Sequence, residues 1–417
     1  MIGRSLRLVG PCLLLLLASG PVRAEDDVPA PADPPGPGAA ATASQMDIGD
    51  LWHMLLRRDP MDADDKRKFF VLAPTIGSKP STGLTVGVNG NMAFYLGDPA
   101  STHISTFSGG VRVSELKQTL AGFRFATFTN QDHYFLQGDN RFSWTSQNTF
   151  GLGGDSPQAG GQNVKYDYVR VYGTAYKNVN RRLFLGVGLN VSDHSDIRPG
   201  GTGTQAGWND SAYVTYTEKH GFPMDGQTSA GSSIGLIYDS RDNPINAHRG
   251  AMASATYRTY FDGFLSGDAT WQELHLDART YKSLNRDASQ RLAVWFLGDL
   301  VTGGTAPYFD LPATASSERS ARGYSEGRYR GQHLLYGEVE YRGTLTSSGL
   351  LGFVAFANTT TVDNVEEGEK LFESFAPGAG FGFRFLLNKR SRTNLCTDWG
   401  WGKAGSHGFY LSIQEAF

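Results

Sequence analysis

The sequence lacks most features that mark soluble enzymes or helical membrane proteins. It has two cysteines in 417 residues, Cys12 and Cys396. Cys12 falls in a leader-like segment, so a disulfide framework is excluded for the remaining chain. From Phe69 onward no run approaches the length of about 18 apolar residues that a transmembrane helix needs. Neither sign of charge dominates: 38 Lys and Arg against 41 Asp and Glu give a formal charge of -3. Nothing global therefore attracts nucleic acid or an acidic polymer. No G-x-S-x-G element precedes a helix, and no cofactor-binding fingerprint occurs. His194 and His220 read as lone, solvated histidines in a long segment between strands, with no pattern of metal ligation. Asp239, Arg241, Asp242 and His248 form a polar group in which acid–base chemistry is conceivable, but Asp and Arg around Asn243-Pro244 are explained by turn capping and ion pairing. The chain is thus not expected to be an enzyme or to carry a metal or cofactor.

Glycine is abundant, at 52 residues, well above the usual share of about 7%. It is accompanied by 25 Phe, 18 Tyr and 7 Trp. Glycine and aromatics with modest aliphatic content suggest many strands and tight turns. Arg4 and Arg7, the apolar run Leu13–Leu17 and Val22-Arg23-Ala24 read as a signal peptide over residues 1–24. Residues 25–44, with Pro29, Pro31, Pro34, Pro35 and Pro37, read as a disordered spacer. Within 45–66, Ile48, Leu51, Trp52, Leu55 and Leu56 make one apolar stripe of a short amphipathic helix. That helix is too short to cross a bilayer. It either packs on the mouth of the following domain or docks a periplasmic partner.

Residues 67–417 alternate with period two. Leu335, Gly337, Val339 and Tyr341 alternate with Tyr336, Glu338, Glu340 and Arg342. Leu274, Leu276 and Ala278 alternate with Glu273, His275, Asp277 and Arg279, and Phe381, Phe383 and Phe385 with Gly380, Gly382 and Arg384. A secreted chain with these strands and no disulfide fits an inverted arrangement, with lipid outside and a polar lumen inside. The ending supports it: Phe409, Leu411 and Ile413 alternate with Tyr410, Ser412 and Gln414, and the final residue is Phe417, a pattern that outer-membrane barrels use as an assembly signal. Eight candidate strands precede Asp239, three more precede residue 319 and five follow residue 331, about sixteen in all, an even number. The spacer then lies in the periplasm, the Asp239 turn on the periplasmic side, and Arg319–Gly331 outside.

Arg322-Gly323-Tyr324, with Arg328 and Arg330 following, resembles the R-G-F/Y loop of the outer-membrane protein assembly-factor superfamily, the BamA/TamA-like "bacterial surface antigen" barrels. Tyr238-Asp239-Ser240-Arg241-Asp242-Asn243-Pro244 and Arg249-Gly250 resemble the periplasmic turn motif of the same barrels, and the C-terminal pattern is a third match. The resemblance implies an all-β, transmembrane antiparallel barrel of sixteen strands whose long sixth external loop folds into the lumen. There Arg322 is implied to pair with wall carboxylates. By alternation Glu338 and Glu340 are the nearer inward candidates, Asp277 and Glu273 the more distant ones, and a desolvated guanidinium needs such planar partners. Two departures stand out: no periplasmic POTRA domain is expected ahead of the barrel, and Asn358 stands where many relatives place an Asp partner of the loop arginine. The implied function is polypeptide insertion into, or translocation across, the outer membrane through a seam between the first and last strands. A passive pore and a non-transporting scaffold that recruits a periplasmic partner are the alternatives. The implied surroundings are outer-membrane lipid and lipopolysaccharide, with a polypeptide client and a monomeric barrel.

Overall fold

Strands that alternate in polarity can bury all their backbone groups away from water only by pairing on both edges, and here they do so by closing. In the computed structural model, sixteen antiparallel strands form one closed barrel in which each strand pairs with its neighbours in sequence and β1 meets β16. The structure describes residues 45–47, 68–79, 82–157, 161–201, 205–316 and 319–417. The expected signal peptide, spacer and helix, apart from 45–47, lie outside the described residues.

Strands β1 to β8 are Lys68–Lys79, Gly83–Phe94, Ser105–Ser114, Thr119–Phe128, Tyr134–Thr149, Gln162–Asn180, Leu183–Pro199 and Gly226–Asp239. Strands β9 to β11 are Gly250–Tyr260, Trp271–Ser283 and Gln290–Gly304. The last five, β12 to β16, are His333–Thr344, Leu351–Val362, Ala376–Asn388, Thr393–Gly402 and His407–Ile413. The division of the strands around Asp239 and the arginine-rich loop is the one read from the sequence. The parity holds too: the turn after Asp239 lies at the end of the barrel that carries both termini of the barrel wall, and the β11–β12 loop is the sixth connection at the far end.

Side chains sort by face as the alternation requires. On β12, Leu334, Tyr336, Glu338, Glu340 and Arg342 are buried toward the lumen, while Val339 is 45% exposed on the outside. Leu185, Val187 and Leu189 on β7 are 53%, 67% and 57% exposed, and Phe381, Phe383 and Phe385 on β14 are likewise exposed. Apolar side chains bared to this extent all round a barrel form a surface for lipid, with the polar groups enclosed. No helix among the described residues is long and apolar enough to cross a membrane.

The far end departs from the sequence reading. Strands β5, β6 and β7 run to 16, 19 and 17 residues, so His194 lies within β7, buried and stacked on Tyr168 and Phe309. Beyond the lipid zone no outward position has to be apolar, so the alternation that marks a strand disappears while its ladder continues. The β7–β8 connection then carries two short helices, α1 (Gln205–Asn209) and α2 (Ala212–His220). Ser211 caps α2 by accepting from the Val214 N–H, and Gly221 ends it in the left-handed region at φ 72°. Its buried Tyr213 and Tyr216 pack on Tyr308 and Phe309 of the β11–β12 loop, forming an aromatic lid over the far end. His220 meets Glu366 of the β13–β14 connection at 2.5 Å.

The other end also differs. The last strand stops at Ile413, Gln414 adopts φ 75°, and the remaining residues turn into the barrel. Phe417 is buried against Trp295 and Tyr281, and Glu415 pairs with Arg384 at 2.6 Å. The alternation around Phe409, Leu411 and Ile413 predicts a strand over 408–417; the ion pair and the aromatic seat inside draw its last four residues off the ladder. Residues 45–47 sit against turns of this same end, with Met46 N–H donating to Ser348 O (2.9 Å) and Lys389 N–H to Asp47 Oδ2 (3.1 Å).

The lipid-facing assignment can be measured. Val187→Arg is expected to lower barrel stability in phospholipid vesicles by about 2–4 kcal/mol if the site lies near the bilayer midplane. Urea unfolding followed by tryptophan fluorescence would show it, and an unchanged midpoint would contradict a lipid-facing β7.

Candidate functional site

The β11–β12 loop enters the lumen and places Arg322, 2% exposed, against the wall. Its Nη1 donates to Asp398 Oδ2 (2.8 Å), its Nη2 donates to Glu338 Oε1 (2.6 Å) and to Glu340, and its guanidinium lies 3.7 Å from the centroid of the Phe356 ring. Each carboxylate is held in turn. Glu338 accepts from Tyr336 Oη (2.6 Å) and Asn358 Nδ2 (3.3 Å). Glu340 accepts from Arg342 Nε (2.7 Å), and Asp398 from Arg384 Nη1 (2.7 Å). Arg342 continues to the main-chain oxygen of Phe417 (2.9 Å) and Arg384 to Glu415 (2.6 Å). The loop, β12, β14, β15 and the C-terminal tail are thereby joined in one ion-pair network. Charges buried this completely are tolerated only when they are paired and hydrogen-bonded.

The residues beside Arg322 fix its position. Gly323 has φ 112°, and a Cβ there would lie 2.8 Å from the carbonyl carbon of Trp401, so only glycine fits. Its N–H donates to Tyr410 Oη on β16 (3.0 Å), and its carbonyl accepts from Ser406 Oγ (2.6 Å). Tyr324 Oη donates to Pro377 O (2.6 Å) and accepts from Lys403 N–H (2.8 Å). The loop therefore grips β14, the β15–β16 turn and β16 together. Arg328 lies apart from this cluster: it donates to Ser156 Oγ (3.0 Å) and Ser156 O (2.9 Å) in the β5–β6 connection.

Of the wall carboxylates singled out from the sequence, the structure brings Glu338 and Glu340 to Arg322 and leaves two elsewhere. Glu273 pairs with Arg258 (2.9 Å), the residue opposite it on β9, and Asp277 pairs with Arg279 (2.6 Å) and accepts from Trp295 Nε1 (2.9 Å). Asp398 was missed. The signal available was its inward position on β15, between Cys396 and Gly400. Asn358 contributes its amide to the Arg322 carbonyl (3.4 Å) as well as to Glu338.

At the opposite end the turn after β8 is self-contained. Asp239 and Arg241 form a bidentate pair, Nε to Oδ1 at 3.0 Å and Nη2 to Oδ2 at 2.6 Å, and Arg241 Nη1 donates to Pro244 O (3.3 Å). Asp242 accepts from the N–H groups of His248 (2.9 Å) and Arg249 (3.2 Å) and from Arg392 (2.7 Å). Gly250, at φ 100°, has Ser240 O 2.3 Å from where a Cβ would be. Tyr238 is 41% exposed on the outer surface. Burial, with Arg291, Arg392, Arg342 and Arg249 around it, pushes the His248 imidazole down to about 2. The carboxylates of this group are thus engaged in the turn, and the histidine stays neutral. Among the described residues no group of His, Cys, Asp or Glu is arranged to hold a metal ion.

One further acid sits in the loop beneath the aromatic lid. Asp310 accepts from Ser192 Oγ and Ser229 Oγ, both at 2.7 Å. Burial raises its carboxyl to about 6, against smaller lowering contributions from the two serines and Arg170.

No family model matches the chain, and no curated protein matches its sequence. Solved structures do match its fold. BamA from Haemophilus ducreyi lacking POTRA domains 1-3 superposes with a TM-score of 0.54 at 13% identity, over 84% of this chain and 70% of that one. CdiB from Acinetobacter baumannii gives 0.53 at 12%, over 84% of this chain and 60% of its own length. CdiB from Escherichia coli gives 0.50 at 8%, over 82% and 62%. The present chain therefore has the barrel fold of these proteins, and it spans about three fifths of the two CdiB chains.

Two expectations follow from the geometry. Arg322→Ala leaves three carboxylates clustered without their shared cation, and is expected to cost about 3–5 kcal/mol and to expose the loop to protease added on the far-end side; a loop as protected as in the wild type would contradict the anchoring. Asp310 has a folded-state value above its ordinary 3.8, so its ionisation opposes the packed loop. Loop stability should be full below about pH 4 and should fall as pH rises toward about 6. Asp310→Asn should flatten that loss, as read by pH-dependent hydrogen exchange of residues 305–312.

Proposed function

We propose that this chain is an outer-membrane barrel that helps polypeptides to insert into or cross that membrane through the seam between β1 and β16. In this reading the end carrying the barrel termini is periplasmic and the lidded end is external. The observation that carries it is the seam itself. β1 pairs with β2 along its whole length, from Lys68 opposite Phe94 to Lys79 opposite Gly83, whereas the only register with β16 among the described residues is Ser78 opposite Phe409. The departure of Gln414–Phe417 into the lumen removes the partner that β16 would otherwise offer to the periplasmic half of β1.

Unpaired strand edges are costly in hydrocarbon, where no water replaces the missing hydrogen bonds. An edge of this kind is stabilised by an incoming extended chain that adds itself as a strand. The resemblance of the Arg322-Gly323-Tyr324 loop and of the Asp239 turn to the assembly-factor superfamily supports the same reading, as does the barrel fold shared with BamA and CdiB. The loop's hold on Tyr410 would set the position of β16, and with it the width of the seam. Residues 45–47 contact turns at the end read as periplasmic, through Met46 and Asp47. A passive pore fits less well, because the loop and its ion pairs occupy the lumen.

A cross-seam disulfide tests this. With Cys at both Ser78 and Phe409, oxidation is expected to lower the outer-membrane level of the client barrels or exported chains that depend on this protein, and reductant should restore it. A matched pair at Val88 and Val111, opposite each other on β2 and β3, should have no effect. Full activity with the seam locked would refute the seam mechanism.

A further inference from the structure

One group of charged residues on the external side takes no part in the arginine network. A cleft of about 350 Å³ opens between the β5–β6 connection, the inserted loop and the β15–β16 turn, lined by Asn148, Ser325, Glu326, Arg328, Lys403 and His407. Arg328 is its buried element, 8% exposed, with its guanidinium near the Phe150 and Tyr329 rings (4.8 and 4.3 Å to their centroids). Its bonds go to the neutral Ser156, and among the described residues it forms no ion pair with a carboxylate. This sets it apart from Arg322, Arg342 and Arg384, each of which is paired with buried acids. Burial accordingly pulls the Arg328 guanidinium below its ordinary value, with Tyr329 and Tyr324 opposing more weakly. Lys403 is exposed at the rim of the same cleft, and Glu326 is the one carboxylate in the lining. A desolvated guanidinium with donors to spare, beside a lysine and hydroxyl groups, is suited to a tetrahedral oxyanion.

The shape of the wall shows where such an anion would come from. β4 starts at Thr119, opposite Trp144, but β5 continues through Thr145–Thr149 paired with β6 alone. The wall therefore drops by five residues on passing from β5 to β4, roughly 12 Å along the barrel axis for tilted strands. From β4 round to β1 the strands reach this end no further than Thr119, Ser114, Gly83 and Lys79. Asn148 and Phe150 stand on the high side of this step, and the rest of the cleft lining comes from the inserted loop and the β15–β16 turn on the other side of β1–β4. Leu84, Val113 and Leu116 at the external ends of β2 and β3, and Trp144 on β5, are exposed apolar side chains, so the lipid-facing surface runs up to the foot of this step.

We propose that the Arg328–Lys403 cleft binds a phosphoryl group carried by an outer-leaflet lipid. The probe is lipid A bearing both phosphates, compared with the same lipid after dephosphorylation, added to the full-length barrel in detergent and read by native mass spectrometry. The wild type should retain the phosphorylated lipid preferentially. Lys403→Gln should weaken retention about tenfold and should fold normally, because the lysine side chain makes no hydrogen bond among the described residues. Arg328→Gln should weaken it further. Lys117→Gln, on another external turn, serves as the control and should change nothing. Equal retention of the dephosphorylated lipid, or unchanged binding by Lys403→Gln, would overturn the site. Inorganic phosphate displacing the lipid at equal concentration would overturn its assignment to a lipid and leave a soluble anion. None of these readouts depends on the seam.

Discussion

A guanidinium removed from water inside a barrel is stable only where carboxylates surround it, and the arrangement of this molecule follows from satisfying Arg322. Same-face neighbours along a strand are two residues apart, and the wall uses this spacing repeatedly to neutralise its own acids. Asp139 pairs with Arg141, Asp239 with Arg241, Asp277 with Arg279 and Glu340 with Arg342. Glu338 has no arginine two residues on, because Glu340 stands there, and Asp398 is followed at that spacing by Gly400. Those two positions leave the wall with surplus negative charge facing the lumen. The loop delivers the missing cation, which makes its insertion a condition for burying the wall.

That condition ties together parts that are distant in sequence. Arg322 can reach Glu338, Glu340 and Asp398 only if Gly323 passes against Trp401 and Gly402, and this close passage brings the Gly323 N–H to Tyr410 on the last strand. Further along, Arg330 donates to Tyr308 O and Leu311 O, which orients the segment that meets α2 under the aromatic lid. The lid and the last strand are thus positioned by one segment. Loss of the ion pairs would remove a tie common to both, leaving the last strand its ladder with β15 and α2 the pairing of Lys219 and His220 with Glu366.

Much of this was readable in the sequence, for identifiable reasons. Alternation located every strand, since lipid outside and charge inside give each a two-sided pattern, and strand parity placed both the Asp239 turn and the arginine loop at their ends. Glu338 and Glu340 were legible because they lie on the strand that follows the loop. Glu273 and Asp277 could not be excluded without register: only the β9–β10 alignment reveals that Arg258 stands opposite Glu273. Asp398 lies on β15, 76 residues from Arg322, in a strand otherwise rich in Gly and Trp, and no local pattern links the two. The external ends of β6 and β7 were invisible because strands above the lipid zone need no apolar face. Helix α2 was not legible because it is only nine residues long and its buried face, Tyr213, Val214, Tyr216 and Thr217, carries a single aliphatic side chain and packs on a loop.

The C-terminus shows how a local signal can be overridden by a charge network. Continuing the ladder to Phe417 would satisfy backbone groups along β1, but it would leave Arg384 and Arg342 without Glu415 and the Phe417 oxygen at the base of the lumen. Two buried guanidiniums that lose acceptors cost more than a few strand hydrogen bonds, each of which is worth about 1 kcal/mol net. The tail therefore turns inward, where Phe417 also stacks on Trp295 at 5.1 Å. The deficit is moved to the edge of β1. The same arginine-rich interior that fastens the loop thereby leaves one strand edge short of a partner, so that opening at the seam disrupts less pairing than opening at any other strand boundary of the barrel.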